Sequence, residues 1–271
     1  MAATITPPPA APTVGAMLRD WRQRRRLSQL DLANEAAVSA RHLSFVETGR
    51  SKPSPELVMH LAEHLAVPLR ERNALLLAAG YAPRFASTPL DADEMAPVRE
   101  ALDTILAGHQ PFPAVVVDRG WDLVTANDSA LDLLTDGVAP ELLEPPVNAL
   151  RVSLHPAGLA PRIANLPEWA AHLVDRVRRE ADTYGDQRLV ELHDELCGYP
   201  GVAGSASPDS QPAARRLFVP LVLRHGDEAL TFFSTVATFG TARDVTVEEL
   251  AIESFFPGDA ATAAALRARW T

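Results

Sequence analysis

Apolar positions between Leu27 and Ser54 follow the period of an α-helix in two short runs, with a tight corner between them. Ser28, with Asp31 three residues later, predicts the N-cap of one helix, and Ser39 predicts the N-cap of the next. Alanines at the crossing allow two helices to approach closely at a steep angle. The pattern predicts a helix-turn-helix unit. Its shared apolar positions are Leu32, Ala33, Ala36, Val38, Leu43 and Val46.

Three further helical patterns surround this pair. Val14–Arg26 carries an apolar stripe beside five arginines, and Glu56–Leu65 follows a proline at a favourable first position. Leu69–Ala79 ends at Gly80, so residues 14–80 are expected to form an all-α domain of five helices. The proline-rich residues 1–13 predict a flexible arm, and the proline-rich, acidic residues 81–97 predict a linker.

Beyond the linker the hydrophobic period becomes that of β-strands. After a connecting helix at 98–107, Ala114–Val117 and Trp121–Thr125 predict a hairpin, with a short helix through Leu134 behind it. Alternation predicts further strands at 217–223, 230–236 and 250–256. Helices are expected at 168–181, 187–196 and 259–270, a loop with a broken helix at 138–165, and a mobile segment at 198–214. Residues 98–271 are thus predicted to form an α+β domain with one antiparallel five-stranded sheet and helices on one face.

Charge divides the 271-residue chain, which carries a net charge of −10, into two unlike parts. Residues 1–80 contain 10 basic and 7 acidic residues, a net charge of +3, whereas residues 81–271 contain 15 and 28, a net charge of −13. The acidic whole therefore conceals a basic N-terminal domain. Double-stranded DNA is the partner that such a domain predicts, with the acidic remainder kept away from the phosphates.

Cys197 is the single cysteine, which excludes an internal disulfide and a multi-cysteine metal site and favours the cytoplasm. No apolar run approaches 18 residues, so no membrane partner is expected.

The outward positions of the second helix in the pair carry chemistry suited to reading bases. Arg41 can donate two hydrogen bonds to guanine, and Ala40 or Phe45 can contact a thymine methyl group, although Phe45 could instead pack on the first helix. Gln29, Arg50 and Lys52 are placed to contact phosphates. The complete set predicted to bind DNA is Gln29, Ser39, Ala40, Arg41, Ser44, Phe45, Arg50, Ser51 and Lys52.

These residues resemble a known family. The positions Ser28-Gln29, Leu32-Ala33, Val38-Ser39, Leu43-Ser44, Val46-Glu47 and Gly49 look like the XRE, or lambda-repressor/Cro-like, DNA-binding domain. The run RHLSFVETGRSKPSPELV resembles the subgroup with a C-terminal MmyB-like, PAS-type ligand-binding domain, and PAVVVDRGWDLVTAND resembles the opening of that domain. The resemblance implies a pair between Arg22 and Glu47, and a C-terminal domain that senses a fatty-acid-like compound.

Aromatic residues of the predicted sheet and of its covering helices suggest where such a ligand would bind. Large apolar side chains facing a concave sheet, with few polar groups, are typical of a small-molecule pocket, although the same residues could simply fill a core. The residues predicted to contact an apolar ligand are Trp121, Asn127, His155, Trp169, His172, Leu173, Phe218, Phe232 and Phe239.

Signatures of catalysis are sparse. The chain has no HExxH, GxSxG, GxxxxGK[ST] or GxGxxG motif, and its only lysine, Lys52, lies in the DNA-binding domain. His193 and Cys197 stand four apart without a third group, and His60 and His64 fit a solvated helix flank better than a metal pair.

The sequence therefore predicts a transcription regulator without a cofactor, which binds a pseudo-palindromic operator as a homodimer. The alternatives are a DNA-binding protein whose second domain only dimerises, and a DNA-tethered enzyme.

Overall fold

The computed structural model of the protein describes residues 12–202 and 218–269. Contacts divide the chain into a first unit of residues up to 87, together with 243–245, and a second unit formed by the remainder. The predicted N-terminal arm lies outside the described residues up to position 11, as does most of the predicted mobile segment, at 203–214 of 198–214.

The first unit contains the five predicted helices. Each begins at or within one residue of its predicted start, because Thr13, Ser28, Ser39 and Ser54 accept a backbone N–H at four of the five N-termini. Ser28 and Asp31 complete a reciprocal capping box, with distances of 3.1 and 2.9 Å. The helices are α1 Val14–Arg24, α2 Gln29–Glu35, α3 Ala40–Glu47, α4 Pro55–His64 and α5 Leu69–Ala78.

Several of these helices end on a residue in the left-handed region, where a side chain is unfavourable. Gly49 and Gly80 have φ of 72° and 80°, but Arg26, Ala37 and Ala66 have φ of 58°, 50° and 47°. After α2, the N–H of Ala37 donates to Asn34 O and that of Val38 donates to Ala33 O, at 3.2 and 2.9 Å. These paired bonds satisfy the last carbonyls of the helix and produce the tight corner before α3.

A glycine brings α1 against α3 in this unit. A Cβ atom at Gly15 would lie 2.3 Å from Val46 O and 2.9 Å from Glu47 O, closer than real side chains approach. The two helices can therefore cross in contact only because position 15 has no side chain. Their contact closes a core that includes Leu18, Trp21, Leu32, Leu43, Val46, Val58, Leu61 and Leu75.

After α5 the described residues form seven α-helices and the predicted five-stranded antiparallel sheet. The helices are α6 Ala96–His109, α7 Asp128–Thr135, α8 Ala149–Leu154, α9 Leu166–Tyr184, α10 Gln187–Cys197, α11 Val245–Glu248 and α12 Ala260–Arg269. The strands are β1 Ala114–Val117, β2 Leu123–Ala126, β3 Leu221–His225, β4 Glu228–Thr238 and β5 Ala251–Pro257. Their order is β2-β1-β5-β4-β3, which places β5 at the centre.

The two faces of this sheet differ in what covers them. The inner face, which carries Val115, Val117 and Phe232, packs against α9 and α10 in one apolar cluster. The outer face carries Ala114, Val116 and Ile252, which pack against Leu102 and Leu106 of α6. The expectation that helices lie on one face is therefore wrong in part. The residues of α6 were predicted only as a connection, but they cover the outer face beside β1 and β5.

The hairpin between β1 and β2 also differs from its prediction. Trp121 was assigned to the second strand, but it lies in the turn with φ of 65°. Asp118 Oδ1 accepts the N–H groups of Gly120 and Asp122 at 2.8 and 2.9 Å. These bonds keep Trp121 and Asp122 in the turn instead of in the strand. The strand then starts at Leu123, with an irregularity in its register opposite Val117.

Candidate functional site

The predicted reading helix α3 presents Arg41 and His42 outward. Ser39 accepts the N–H of His42 and so caps the helix, while Arg41 is exposed next to the partly buried Ala40 and Ser44. An arginine at this position near the N-terminus of the helix can reach a base edge in the major groove.

Phe45 lies between two of the predicted DNA-binding arginines. The Cζ atom of Arg41 is 5.4 Å from its ring centroid and that of Arg50 is 6.0 Å away. Backbone bonds from Arg50 and Ser51 to Phe45 O, at 2.8 and 3.1 Å, hold the following loop against the end of α3. Because the ring faces guanidinium groups, both arginines are oriented before any partner arrives.

Lys52 is held in a similar way by a residue that the sequence assigned to the linker. Its Nζ atom lies 4.8 Å from the ring centroid of Tyr81, whose hydroxyl donates to Pro53 O at 3.0 Å. The sequence feature that could have predicted this contact is Gly80, because its positive φ turns the chain just before Tyr81. The structure therefore places an aromatic ring beside each basic side chain of this loop.

Arg22 and Glu47 form a buried, two-pronged ion pair, as the resemblance implied. The guanidinium Nε and Nη2 donate to the two carboxylate oxygens at 2.7 and 2.9 Å, and Nη1 donates to Leu27 O. Gln29 Nε2 also donates to Glu47, at 2.7 Å. Burial opposes ionisation of Glu47, but the hydrogen bonds from Arg22 and Gln29 outweigh it and lower its pKa. The amide of Gln29, which was predicted to contact phosphate, thus donates one N–H inside the domain.

Four of the residues predicted to contact a ligand lie in the core of the second unit. Trp121, Trp169, Leu173 and Phe232 are between 1 and 4 % exposed and belong to the cluster between the inner face and the helices. All four therefore belong to one apolar cluster between the sheet and its covering helices. In this structure they fill the interior.

The polar residues of that set are engaged locally. Asn127 caps α7 and joins it to β1, because its Oδ1 accepts the N–H of Ala114 and of Ala130, both at 3.0 Å. His155 Nδ1 accepts the N–H of Ala157, and its ring meets the edge of Tyr199. His172 lies against Trp169, and burial, followed by the nearby Arg176 and Arg179, lowers its pKa.

Two members of the predicted ligand set lie elsewhere. Phe218 is 61 % exposed and contacts Phe233, which is on the outer face of the sheet. Phe239 packs with the cluster under α6. Sequence alternation fails here because Phe218 precedes β3 and Phe239 follows β4, so neither keeps the register of its strand.

The inner face also carries an ionic cluster that was not predicted from the sequence. Arg176 of α9 lies 3.1 Å from Glu180 and 3.6 Å from Glu253, and its Cζ atom is 4.3 Å from the ring centroid of Trp121. Trp121 Nε1 donates to Glu180 at 2.8 Å. Glu253 is 5 % exposed at the centre of the sheet, and burial raises its pKa. The signal was a glutamate in β5 whose neighbours at the other inward positions are apolar.

A polar cleft of about 330 Å3 opens beside the β1–β2 turn, lined by Gly120, Asp122, Asn148, Arg151, Arg188, Leu189, Glu191, Leu192 and Glu195. Arg151 spans it to Glu195, with an Nη2–Oε2 distance of 2.7 Å. Burial and the hydrogen bond to Glu195 raise the pKa of Tyr199 to about 12. Arg151 and Glu195, two of the five charged residues that line the cleft, are therefore paired with each other.

The histidine and cysteine of α10 are close but poorly suited to catalysis. Cys197 Sγ lies 3.7 Å from His193 Nε2, and burial raises the pKa of the thiol, which opposes the thiolate that a nucleophile needs. Within residues 12–202 and 218–269 no three potential ligands are grouped to hold a metal ion. In the same ranges no helix is long and apolar enough to cross a membrane.

Comparison with known families matches both parts of the chain. Residues 13–75 match a helix-turn-helix domain, and residues 98–268 match the MmyB-like transcription regulator ligand binding domain. No curated protein matches the chain. Because the second match alone spans more than half of the sequence, the protein belongs to the family of MmyB-like transcription regulators, with a DNA-binding helix-turn-helix domain followed by a ligand-binding domain.

Proposed function

We propose that this regulator works in the cytoplasm, where it binds a pseudo-palindromic operator as a homodimer and changes its DNA affinity when an apolar molecule occupies its second unit. The observation that carries the DNA-binding part is the exposed Arg41 on α3, oriented against Phe45. One α3 offers three or four base-reading side chains, so specificity calls for two half-sites about one helical turn apart.

On the proposed DNA-binding surface, the residues that would contact bases are different from those that would contact phosphates. Arg41 and Ser44 face outward from α3, whereas Arg50 and Lys52 belong to the loop after it. A guanidinium that donates to guanine distinguishes sequences, while loop cations that meet phosphates fix the register of the helix on any duplex. The remaining N–H of Gln29, positioned by Glu47, would add a phosphate contact at the start of α2.

For the ligand, the chemistry of the inner face supports a molecule with an apolar body and one polar head. Trp169, Leu173 and Phe232 supply apolar walls, and a ligand would enter among them by displacing side chains. Arg176 stands at the border of these walls, between Glu180 and Glu253. A ligand carboxylate could replace the buried Glu253 carboxyl, which is costly to ionise, as a partner of Arg176.

The direct test is a titration with fatty acids of increasing chain length, following both the melting temperature and the affinity for a selected operator. A ligand of this class should stabilise the protein by RT ln(1 + [L]/Kd), about 2.7 kcal/mol at a hundredfold excess over Kd. Operator affinity must change with it, because a ligand that favours one arrangement of the dimer alters DNA binding by the same coupling free energy. If no chain length moves either quantity, a fatty-acid signal is excluded.

A second candidate is a C-terminal unit that only dimerises. The filled interior favours it, since Phe232 is 1 % and Leu173 2 % exposed in the described structure. A dimer whose melting temperature and operator affinity ignore every apolar compound, while extraction of the purified protein releases nothing, would support this candidate.

A further inference from the structure

A row of aromatic rings crosses the outer face of the sheet. His109, at the end of α6, meets Phe256 of β5 at 4.7 Å between ring centroids, and Phe256 stacks on Phe233 of β4 at 5.4 Å. Phe218 follows Phe233 at 6.1 Å. The row starts at the edge of the helix that covers this face and runs into the part that no described element covers.

The uncovered part is apolar or neutral at successive outward positions. Phe233, Thr235 and Ala237 of β4 alternate outward, and Ser254 and Phe256 of β5 lie beside them in the antiparallel register. Phe218 is 61 % and Phe233 36 % exposed, and Thr235 and Ala237 are exposed as well. None of these positions carries a charge. We call this surface the aromatic face.

Its neutrality is unusual for this part of the chain. Residues 81–271 carry a net charge of −13, so two copies repel each other over most orientations. The aromatic face is a neutral surface on which two acidic units could meet without placing carboxylates in contact. Neutral apolar surfaces also match themselves, which is what a two-fold interface requires, because the same patch contributes from both subunits.

We propose that the aromatic face is the surface through which two copies of this chain associate. Burying exposed phenylalanine rings against their equivalents supplies the apolar driving force. The contact would continue the layer that α6 forms over the outer face beside β1 and β5. This inference rests on the proposed homodimer and adds its location.

The first test places a charge in the interface and measures the dimer dissociation constant of the full chain by sedimentation equilibrium. Phe233→Glu is expected to raise that constant at least tenfold. The matched control is Val190→Glu, because Val190 is a similarly exposed apolar residue, at 38 % against 36 % for Phe233, but lies on α10. Circular dichroism and melting temperature show whether each variant is folded. An equal effect of both variants would overturn the proposed face.

A second pair of variants tests self-association without touching the core. Thr235 is exposed and central in the aromatic face, so Thr235→Glu and Thr235→Lys should each weaken the homodimer. Mixing the two variants should restore a mixed dimer, since opposite charges then meet across the two-fold axis. A wild-type dimer that is unchanged by all three substitutions would refute the face but leave the proposed function intact. A wild-type chain that stays monomeric on its operator would refute the proposed homodimer and the face together.

Discussion

Ala37 occupies the corner of the helix-turn-helix in a conformation that favours glycine. Its φ of 50° costs a residue with a side chain about 1 kcal/mol, whereas glycine adopts it freely. Ala37→Gly should therefore stabilise the first unit by about 0.5 kcal/mol, after the greater entropy of glycine in the unfolded chain is subtracted. Slower hydrogen exchange of the amides in α2 and α3 would report the gain.

The neighbouring alanine provides the control for that substitution. Ala36 has a negative φ of −84° and is 1 % exposed. Ala36→Gly should accelerate the same exchange, because it loses a buried methyl group and relieves no strain. Similar changes in both variants would show that the conformation of Ala37 carries no energetic penalty.

Glu47 links folding of the first unit to pH. Its pKa is lowered in the folded state from an ordinary value of 4.5, so its contribution to stability is present above that value and lost as the pH falls through the folded pKa. Glu47→Gln should cost about 3–5 kcal/mol at neutral pH, because Arg22 then remains buried without its partner. The deficit should shrink in acid. Urea unfolding of the wild type and the variant across pH measures both effects, with the exposed Glu63→Gln as the control.

For single residues, the sequence predicted one contact correctly but did not predict the internal hydrogen bonds of two amide side chains. The Arg22–Glu47 pair follows from the resemblance, and the structure contains it. Gln29 and Asn127 were assigned to surfaces that bind partners, but their amides also close internal hydrogen bonds. An amide satisfies either need, and only the three-dimensional neighbours decide which one it meets.

Helix α3 should determine which DNA sequence is bound, whereas the loop after it should contribute affinity for any sequence. Arg41→Ala is expected to cost roughly 1–3 kcal/mol at one operator position, because the loss is a bidentate contact to one base. Lys52→Ala should weaken binding to every sequence alike and reduce the slope of log affinity against log salt by about 1. Binding to operator and to random duplexes over a salt series separates them. Equal losses on both duplexes for Arg41→Ala would contradict its assignment as a base reader.

Strand β5 carries an ionisable group whose effect on stability has the opposite sign. Burial raises the pKa of Glu253 above its ordinary value of 4.5, so the folded state holds a proton that the unfolded state has lost. Stability of the second unit should therefore fall as the pH rises from that value through the raised pKa. Glu253→Gln should flatten this fall in thermal unfolding curves. The control is Glu180→Gln, because Glu180 is the more exposed carboxylate beside Arg176. It should leave most of the fall in stability with pH in place.

The elements themselves were largely predictable, and the exceptions share a cause. Caps and periodicity located the five helices of the first unit, and alternation located the strand-forming segments of the sheet. Trp121 departs from its strand because Asp118 captures two backbone amides of the turn. The side of the sheet that α6 covers depends on tertiary packing. Apolar alternation alone reveals neither of these features, and it shows a glutamate in β5 without showing that Arg176 is its partner.

For the whole molecule, the division of charge predicts opposite responses to salt. Operator binding by the basic part should weaken as salt rises, because phosphate contacts release counterions. Association through the aromatic face should strengthen up to about 0.3 M salt, because screening reduces the repulsion between two copies of residues 81–271, each with a net charge of −13. Sedimentation and operator titrations on one salt series would show both trends. Parallel trends would mean that charge does not oppose association.

The orientation of α3 depends on Gly15, a residue outside the set predicted to bind DNA. Because a methyl group there would collide with Val46 O, Gly15→Ala must push α1 and α3 apart or tilt one against the other. The arginines of the reading surface would then enter the groove at a new angle. Operator preference could thus drift in descendants of this protein while every residue that meets DNA is preserved, so two homologues with identical reading helices need not share their targets.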